Sequence, residues 1–116
     1  MVFNTTAALL DGIVLAVVAK EEDGTYGYKI THEVKNIIDI SESTLYPVLR
    51  RLQKDQYLSV YDMQCDGRNR KYYKITADGH SLLDRTKSEW SDYSNKLDLI
   101  FNGEEERWPE VNILQR

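Results

Sequence analysis

The chain has 116 residues, of which 41% are hydrophobic and 29% charged, and its net charge at pH 7 is −4. This length predicts one domain, and the composition is ordinary for a soluble globular protein. The net charge does not favour nucleic-acid binding, but the charges are unevenly distributed. Residues 26–75 hold nine Lys and Arg against six Asp and Glu, whereas acidic residues are in excess on both sides. A basic centre between acidic ends suits a DNA-facing module, with chance clustering as the alternative.

The cysteine content and the apolar segments argue against a secreted or membrane protein. Cys65 is the single cysteine, so we expect no intramolecular disulfide and no cysteine-based zinc site, in keeping with a reducing cytosol. The apolar run over 7–19 is interrupted by Asp11 and Gly12 and is shorter than the roughly 20 residues that span a bilayer. No basic segment of a signal peptide precedes it. We therefore predict a cytoplasmic protein that does not interact with a membrane.

No pattern of catalytic residues is found. The two histidines, His32 and His80, have neither a metal-ligand spacing nor a nucleophile motif beside them, and no glycine-rich phosphate loop appears. We expect no enzyme activity, no catalytic residues, no metal site and no cofactor.

Two helices are predicted at the start of the chain. Thr5 or Thr6 can cap a first helix that runs to about Lys20, and apolar residues cover nearly its whole circumference. Such a helix is buried on most sides. A second helix is predicted over 26–36, after an acidic loop. Its inner face is expected to hold Tyr28, Ile30, Thr31 and Val34, together with Ile37 and Ile38 just beyond it.

A short amphipathic helix follows. We expect it to begin near Ser43, with Ser41 or Ser43 as its cap, because Pro47 then lies early in the helix, where a proline removes the fewest backbone hydrogen bonds. One side of this third helix is apolar and consists of Leu45, Val48, Leu49 and Leu52.

A β-hairpin with a basic tip is predicted next. Residues 58–63 and 70–75 alternate and are rich in Tyr and Val, which is typical of strands, and 64–69 form the tip with Gly67 in the turn. A short helix followed at once by a basic hairpin is typical of a winged helix-turn-helix, in which the helix enters the major groove of DNA.

The last helix is predicted to open at Thr76 and to carry a heptad pattern. Seven-residue spacing with a 3–4 alternation is typical of a coiled-coil seam, and the alternative is ordinary packing onto the helix's own domain. The pattern consists of Leu83, Trp90 and Leu97 at one heptad position and Thr86, Tyr93 and Ile100 at the other. From it we predict a dimer interface formed by Leu83, Trp90, Tyr93, Leu97 and Ile100.

Three segments carry a resemblance to a known family. They read Y-G-Y-K-I at 26–30, S-T-L-Y-P-V-L-R-R-L at 43–52 and G-R-N-R-K-Y-Y-K-I-T-A-D-G at 67–79. With this order of elements the chain resembles the PadR family of bacterial transcriptional regulators, over nearly all of residues 7–101. The short last helix is similar to that of the compact subfamily, which includes multidrug-sensing repressors.

The resemblance implies an α+β, mostly α fold, a winged helix-turn-helix with a C-terminal dimerisation helix. We expect a DNA-binding domain over 1–75, whose first helix also packs in the dimer, a dimerisation helix over 76–103 and a polar tail over 104–116. Family members are homodimers. The chain departs from them at Gln56, where relatives usually have a glycine in a left-handed turn, so we expect Gln56 to be strained by about 1 kcal/mol.

The expected DNA contacts of the third helix lie at its start and along one side. Ser43 and Thr44 can donate to phosphate, with simple capping as the alternative for Ser43, and Tyr46 can reach a base edge or a phosphate. Arg50, one turn later, can bind a phosphate or a guanine. Arg51 points in another direction, and Lys54 returns to the side of Arg50 and Arg51. One of these three charges is expected to be only solvated.

The wing is expected to contact the DNA backbone or the minor groove. Arg68, Arg70 and Lys71 place three charges within four residues. Tyr72 and Tyr73 point to opposite faces of the hairpin, so one is expected in the core while the other donates its hydroxyl to a phosphate; we assign the contact to Tyr73.

Trp90 is the candidate residue for ligand sensing. In a symmetric dimer it would approach its own copy across the two-fold axis, and two indoles with space between them form a slot for a planar aromatic molecule. In the drug-sensing relatives a tryptophan at the matching place does this. The alternative is that Trp90 only packs the interface. Further ligand contacts are expected from Ala8, Asp11, Gly12 and Ser94.

These features predict a homodimeric regulator, a repressor that binds operator DNA and is relieved by a planar aromatic ligand at the dimer interface. Each protomer would place its third helix in a major groove, with half-sites about 34 Å apart. The alternative is a winged-helix module for protein–protein contact that senses no ligand.

Overall fold

The structure, a computed structural model, describes residues 5–103, with side chains from residue 7 onward. The tail over 104–116 and the side-chain cap expected at Thr5 or Thr6 lie outside what is described. The elements are α1 (Thr5–Ala19), β1 (Thr25–Tyr26), α2 (Gly27–Lys35), α3 (Glu42–Lys54), β2 (Leu58–Cys65), β3 (Arg68–Ile75) and α4 (Ala77–Phe101).

The central element is α1. It packs against α2, α3, β3 and α4, which explains why its apolar residues surround the whole helix. Val14, Leu15 and Val18 are fully buried. No helix within residues 5–103 combines the length and the apolar character needed to cross a membrane. The remaining core residues are Ile30, Val34, Leu45, Val48, Leu49, Leu52, Leu58, Tyr73 and Leu83.

Three of the six residues predicted on the inner face of α2 are buried. Ile30, Thr31 and Val34 are buried, whereas the exposed fractions of Ile37 and Ile38 are 84% and 45%. The reason is that α2 ends at Lys35, so these two isoleucines no longer follow the helical period. Tyr28, which was also assigned to the inner face, is 61% exposed; it belongs to the surface groove described below.

The third helix begins one residue earlier than predicted and ends in a left-handed turn. Its cap is Ser41, whose Oγ accepts a hydrogen bond from the N–H of Thr44 at 3.3 Å. At the other end, the N–H of Gln56 donates to the Gln53 carbonyl at 3.0 Å and the N–H of Tyr57 to the Leu52 carbonyl at 2.9 Å. These two bonds form a Schellman motif. Gln56 has φ +68°, which confirms the predicted left-handed conformation at a residue other than glycine.

The sheet has the strand order β1-β3-β2, with both neighbouring pairs antiparallel. The hairpin is tighter than predicted, because pairing continues to Cys65 and Arg68. Asp66 and Gly67 close it with φ values of +54° and +77°. Two positive φ values define a two-residue turn whose twist matches that of the flanking strands. Strand β1 was not predicted, because it has only two residues and therefore shows no alternation.

The last helix is divided between the protomer core and the surface. It opens at Thr76, as predicted, with the Gly79 N–H donating to the Thr76 hydroxyl at 2.9 Å. Leu83 and Thr86 are buried at 5% and 6% exposure. The assignment of Leu83 to a dimer interface is therefore corrected, because Leu83 packs in its own protomer's core. The exposed apolar residues beyond it are Trp90 (39%), Ile100 (58%) and Phe101 (76%).

The three packed helices, the hairpin and the additional long helix form a winged helix-turn-helix fold. We refer to the β2–β3 hairpin, residues 58–75, as the wing.

Candidate nucleic-acid interface

An open groove of about 460 Å³ lies between the start of α2, the start of α3 and the wing. It brings together five residues that were predicted from the sequence to contact DNA, one from α3 and four from the wing. The groove is lined by Tyr26, Gly27, Tyr28, Tyr46, Arg68, Arg70, Lys71 and Tyr73.

Hydroxyl groups cluster at the start of α3. The Ser41 Oγ lies 3.0 Å from both the Ser43 Oγ and the Thr44 Oγ1, and all three residues are exposed. Ser41, and not Ser43, is therefore the cap of α3. Hydroxyls beside the N–H groups of a helix N-terminus can donate to phosphate oxygens.

The three basic residues of α3 point in different directions. Arg50 and Lys54 are exposed and, being four residues apart, lie on the same side of the helix. The Arg51 guanidinium instead forms two bonds with the Asp11 carboxylate of α1, at 2.6 Å and 3.2 Å. These bonds raise the pKa of Arg51 above its ordinary value. Arg51 is therefore engaged within the protein, while Arg50 and Lys54 remain on the surface.

A tyrosine of β1 holds one of the wing arginines in place. The Arg70 guanidinium carbon lies 4.5 Å from the centre of the Tyr26 ring, a cation–π contact worth about 0.5–1 kcal/mol at an exposed site. Tyr26 also packs against Tyr72, with 5.6 Å between the ring centres. Arg68 and Lys71 are exposed. Tyr26 was not predicted as a site residue, although its position in the Y-G-Y motif at 26–28 was the available signal.

Tyr73 is the core member of the tyrosine pair and is 5% exposed. Burial raises the pKa of its phenol; neighbouring Tyr46 adds to this effect and the Arg50 charge opposes it. Tyr73 nevertheless lines the groove, so its assignment as a donor to phosphate stays a prediction. Tyr72 lies on the other face of the wing, beside Tyr61.

Two of the positions expected beside Trp90 are already engaged. The carboxylate of Asp11 binds Arg51. Gly12 is buried, and a Cβ placed there would lie 2.8 Å from the Thr86 Cγ2, so α4 fills the room predicted at this glycine. At these two residues α1 therefore meets α3 and α4, and the ligand contacts expected of Asp11 and Gly12 stay predictions.

The rest of the expected sensor is aromatic and partly exposed. The rings of Trp90 and Tyr93 lie 6.2 Å apart at 41°. Ala8, Ser94 and Leu97 are half-buried. Within residues 5–103, no group of three His, Cys, Asp or Glu side chains is placed to hold a metal ion.

The fold and the basic groove define the class of winged-helix transcriptional regulators. The profile of the transcriptional regulator PadR-like family matches residues 14–85, and the chain belongs to this family. Its members are transcriptional regulators and not enzymes.

Individual proteins show the same likeness. The crystal structure of smu.1704 from Streptococcus mutans UA159 is similar, with 42% identity, a TM-score of 0.76 and coverage of 89% of this chain and 95% of that one. An uncharacterized protein of Lysinibacillus sphaericus is 36% identical over 81% of this chain and 89% of its own length. Bacillus subtilis PadR, solved with operator DNA, shares the fold at 22% identity and a TM-score of 0.59, covering 66% of this chain and 45% of that one.

Proposed function

We propose that this chain is a cytoplasmic, sequence-specific DNA-binding repressor that inserts α3 into the major groove and lays the wing along the DNA backbone. The observation that carries the proposal is the groove in which Tyr46 meets Arg68, Arg70 and Lys71. A tyrosine hydroxyl and three cations on one open surface suit phosphate oxygens. The Bacillus subtilis relative, solved with operator DNA, supports the same use of the fold.

The contacts of α3 divide into two kinds. Ser43 and Thr44 would donate to a phosphate beside the start of the helix and so set its register on the duplex. Arg50 would reach farther into the groove, where a guanidinium binds guanine O6 and N7 in a bidentate manner. Lys54, near the end of the helix, would contact the backbone. Sequence preference therefore rests on Arg50 and Tyr46, and general affinity rests on the remaining cations.

The protein would act as a homodimer, because its last helix presents apolar side chains to solvent. Ile100 and Phe101 are 58% and 76% exposed, and burial of such residues against a second copy is favourable. A symmetric pair of protomers would place two α3 helices in successive major grooves, about 34 Å apart. A ligand that changed this spacing would lower operator affinity.

The ligand in this proposal is a planar aromatic molecule bound beside Trp90. The Trp90 and Tyr93 rings offer an aromatic surface that is partly exposed, and a stacked pair adds about 0.5–1.5 kcal/mol beyond the area that it buries. Because Asp11 is paired with Arg51, attraction of the ligand would come from stacking rather than from that carboxylate.

Fluorescence tests the ligand. In a Trp108→Phe background, which removes the second tryptophan of the sequence, planar aromatic dyes should quench the emission of Trp90. Trp90→Ala should abolish dye binding, measured by dye polarisation, and leave operator binding intact. Unchanged emission across a panel of such dyes would show that Trp90 only packs an interface.

The test of DNA binding uses the wild-type protein and an operator selected from a random-sequence pool. Affinities for this operator and for random DNA are measured over a range of salt concentrations. A DNA-binding regulator should prefer the selected sequence and lose affinity steeply with salt, by about 0.9 logarithmic units per phosphate contact for each tenfold increase. A winged-helix module used only for protein contact would show neither property.

A further inference from the structure

An ion pair joins the DNA-facing helix to the centre of the molecule. Arg51 Nη2 lies 2.6 Å from Asp11 Oδ1, and Arg51 Nη1 lies 3.2 Å from Asp11 Oδ2. The two residues are 40 positions apart in the chain, so the pair is a tertiary contact between α1 and α3. The side chain of Asp11 is 17% exposed and that of Arg51 is 44% exposed.

This contact fixes orientation better than an ordinary surface ion pair. A guanidinium and a carboxylate that share two parallel bonds are held in one plane, and the low exposure of Asp11 reduces screening by salt. The pair between Lys20 and Glu33 differs, since it has a single contact of 3.2 Å and its lysine is 64% exposed. Pairs of that kind contribute little.

The position of Arg51 within α3 gives the pair its consequence. Arg50 is the adjacent residue and points about 100° away around the helix; it is exposed, and its charge acts on the phenol of Tyr73. Holding Arg51 against α1 therefore sets the rotation of α3 and the direction of Arg50. The next residue of α1, Gly12, lies against Thr86, so the same part of α1 also fixes α4.

We propose that Asp11 and Arg51 are positioning residues, which set the rotation of α3 on the body of the protein and thereby determine which bases Arg50 and Tyr46 reach. The inference rests on the proposed DNA-binding function. In this proposal Arg51 makes no DNA contact, although it lies in the sequence between Arg50 and Lys54, which do. The loss of either partner should lower selectivity for the operator and leave general attraction to DNA unchanged.

The experiment compares Asp11→Asn, Arg51→Gln and the double variant with Glu33→Gln. Glu33→Gln is a matched control because it also replaces a carboxylate by an amide and breaks an ion pair, that of Glu33 with Lys20, in which no residue of α3 takes part. The ratio of affinity for the selected operator to affinity for random DNA is measured at several salt concentrations, and thermal unfolding checks the fold of each variant.

We expect each single variant to lower the ratio by about 10-fold, with no change in the salt slope, and the control to keep the wild-type ratio. The double variant should be no worse than either single one, because residues that act as a pair are not additive. A ratio unchanged in Asp11→Asn would overturn the proposal. So would a salt slope reduced by about one in Arg51→Gln, which would mark Arg51 as a phosphate contact.

Two further results separate this proposal from the function on which it rests. If the wild-type protein has no preference for any DNA sequence, the proposed function fails. If it has one that is independent of Asp11 and Arg51, only the positioning role fails. Should Asp11→Asn not fold, Arg51→Gln decides alone, since the side chain of Arg51 is the more exposed of the two and should tolerate replacement: a lower ratio supports the proposal and an unchanged ratio contradicts it.

Discussion

Gln56 adopts the left-handed backbone conformation that was expected at the end of α3. Gln56 has φ +68° and occupies the position of a Schellman motif that usually belongs to glycine. Its carbonyl also accepts the Thr76 hydroxyl at 2.8 Å, so the turn ties the end of α3 to the start of α4. A residue with a Cβ is strained there by about 1–2 kcal/mol.

Gln56→Gly should therefore stabilise the protein. Relief of strain is partly offset by the extra freedom of glycine in the unfolded chain, about 0.5–1 kcal/mol, which leaves a gain of about 0.5–1 kcal/mol in the free energy of unfolding, measured with urea. Gln53→Gly, one turn earlier in right-handed helix, is the matched control and should destabilise the protein by a similar amount. A loss of stability in Gln56→Gly would show that the side chain makes a contact worth more than the strain.

Other roles at this scale depend on tertiary contacts and could not be predicted. Alternation places Tyr72 and Tyr73 on opposite faces of the wing, but it does not say which face is buried, so the burial of Tyr73 could not be assigned from the sequence. Asp11 was expected near Trp90, yet it binds Arg51, which lies 40 positions away in the chain. Neither local spacing nor composition carries information about such a pair.

At the scale of elements, the short amphipathic helix and the hairpin were predictable because their signals are local. A serine cap and four apolar residues on one side predict α3, and alternating strands around Gly67 predict the wing, without tertiary information. The heptad pattern of α4 was less informative. Leu83 and Thr86 satisfy it by packing within the protomer, because α1 also presents an apolar surface to this helix.

The second half of α4 should carry the dimer interface. Leu97→Asp combined with Ile100→Asp would place two charges in an apolar seam and should convert the dimer to monomers, as measured by sedimentation at micromolar concentration. Ser91→Asp combined with Asn95→Asp adds the same charge at exposed polar positions of the helix and should leave the dimer intact. A double variant at Leu97 and Ile100 that remains dimeric would show that the main interface lies elsewhere.

The whole molecule is elongated, with extents of 63 × 27 × 21 Å, because the 25-residue α4 continues beyond the packed body. Because of this shape, two different surfaces lie far apart on the protein. The basic groove lies where α2, α3 and the wing meet, and exposed apolar residues lie near the far end of α4. In our proposal, DNA binds at the first site and the second protomer at the second. Through α1, the protein body connects them.

The central claim, that the groove is the DNA-binding surface, is tested most directly by the salt dependence of DNA binding in a wing variant. Arg70→Ala combined with Lys71→Ala removes two of the cations of the groove, and Arg85→Ala combined with Lys87→Ala removes two exposed cations of α4 as the control. If the groove binds phosphate, the wing variant should weaken binding to operator and random DNA alike and reduce the salt slope by about one for each lost contact, while the control keeps the wild-type slope. A wing variant with wild-type affinity and slope at low salt would contradict the account.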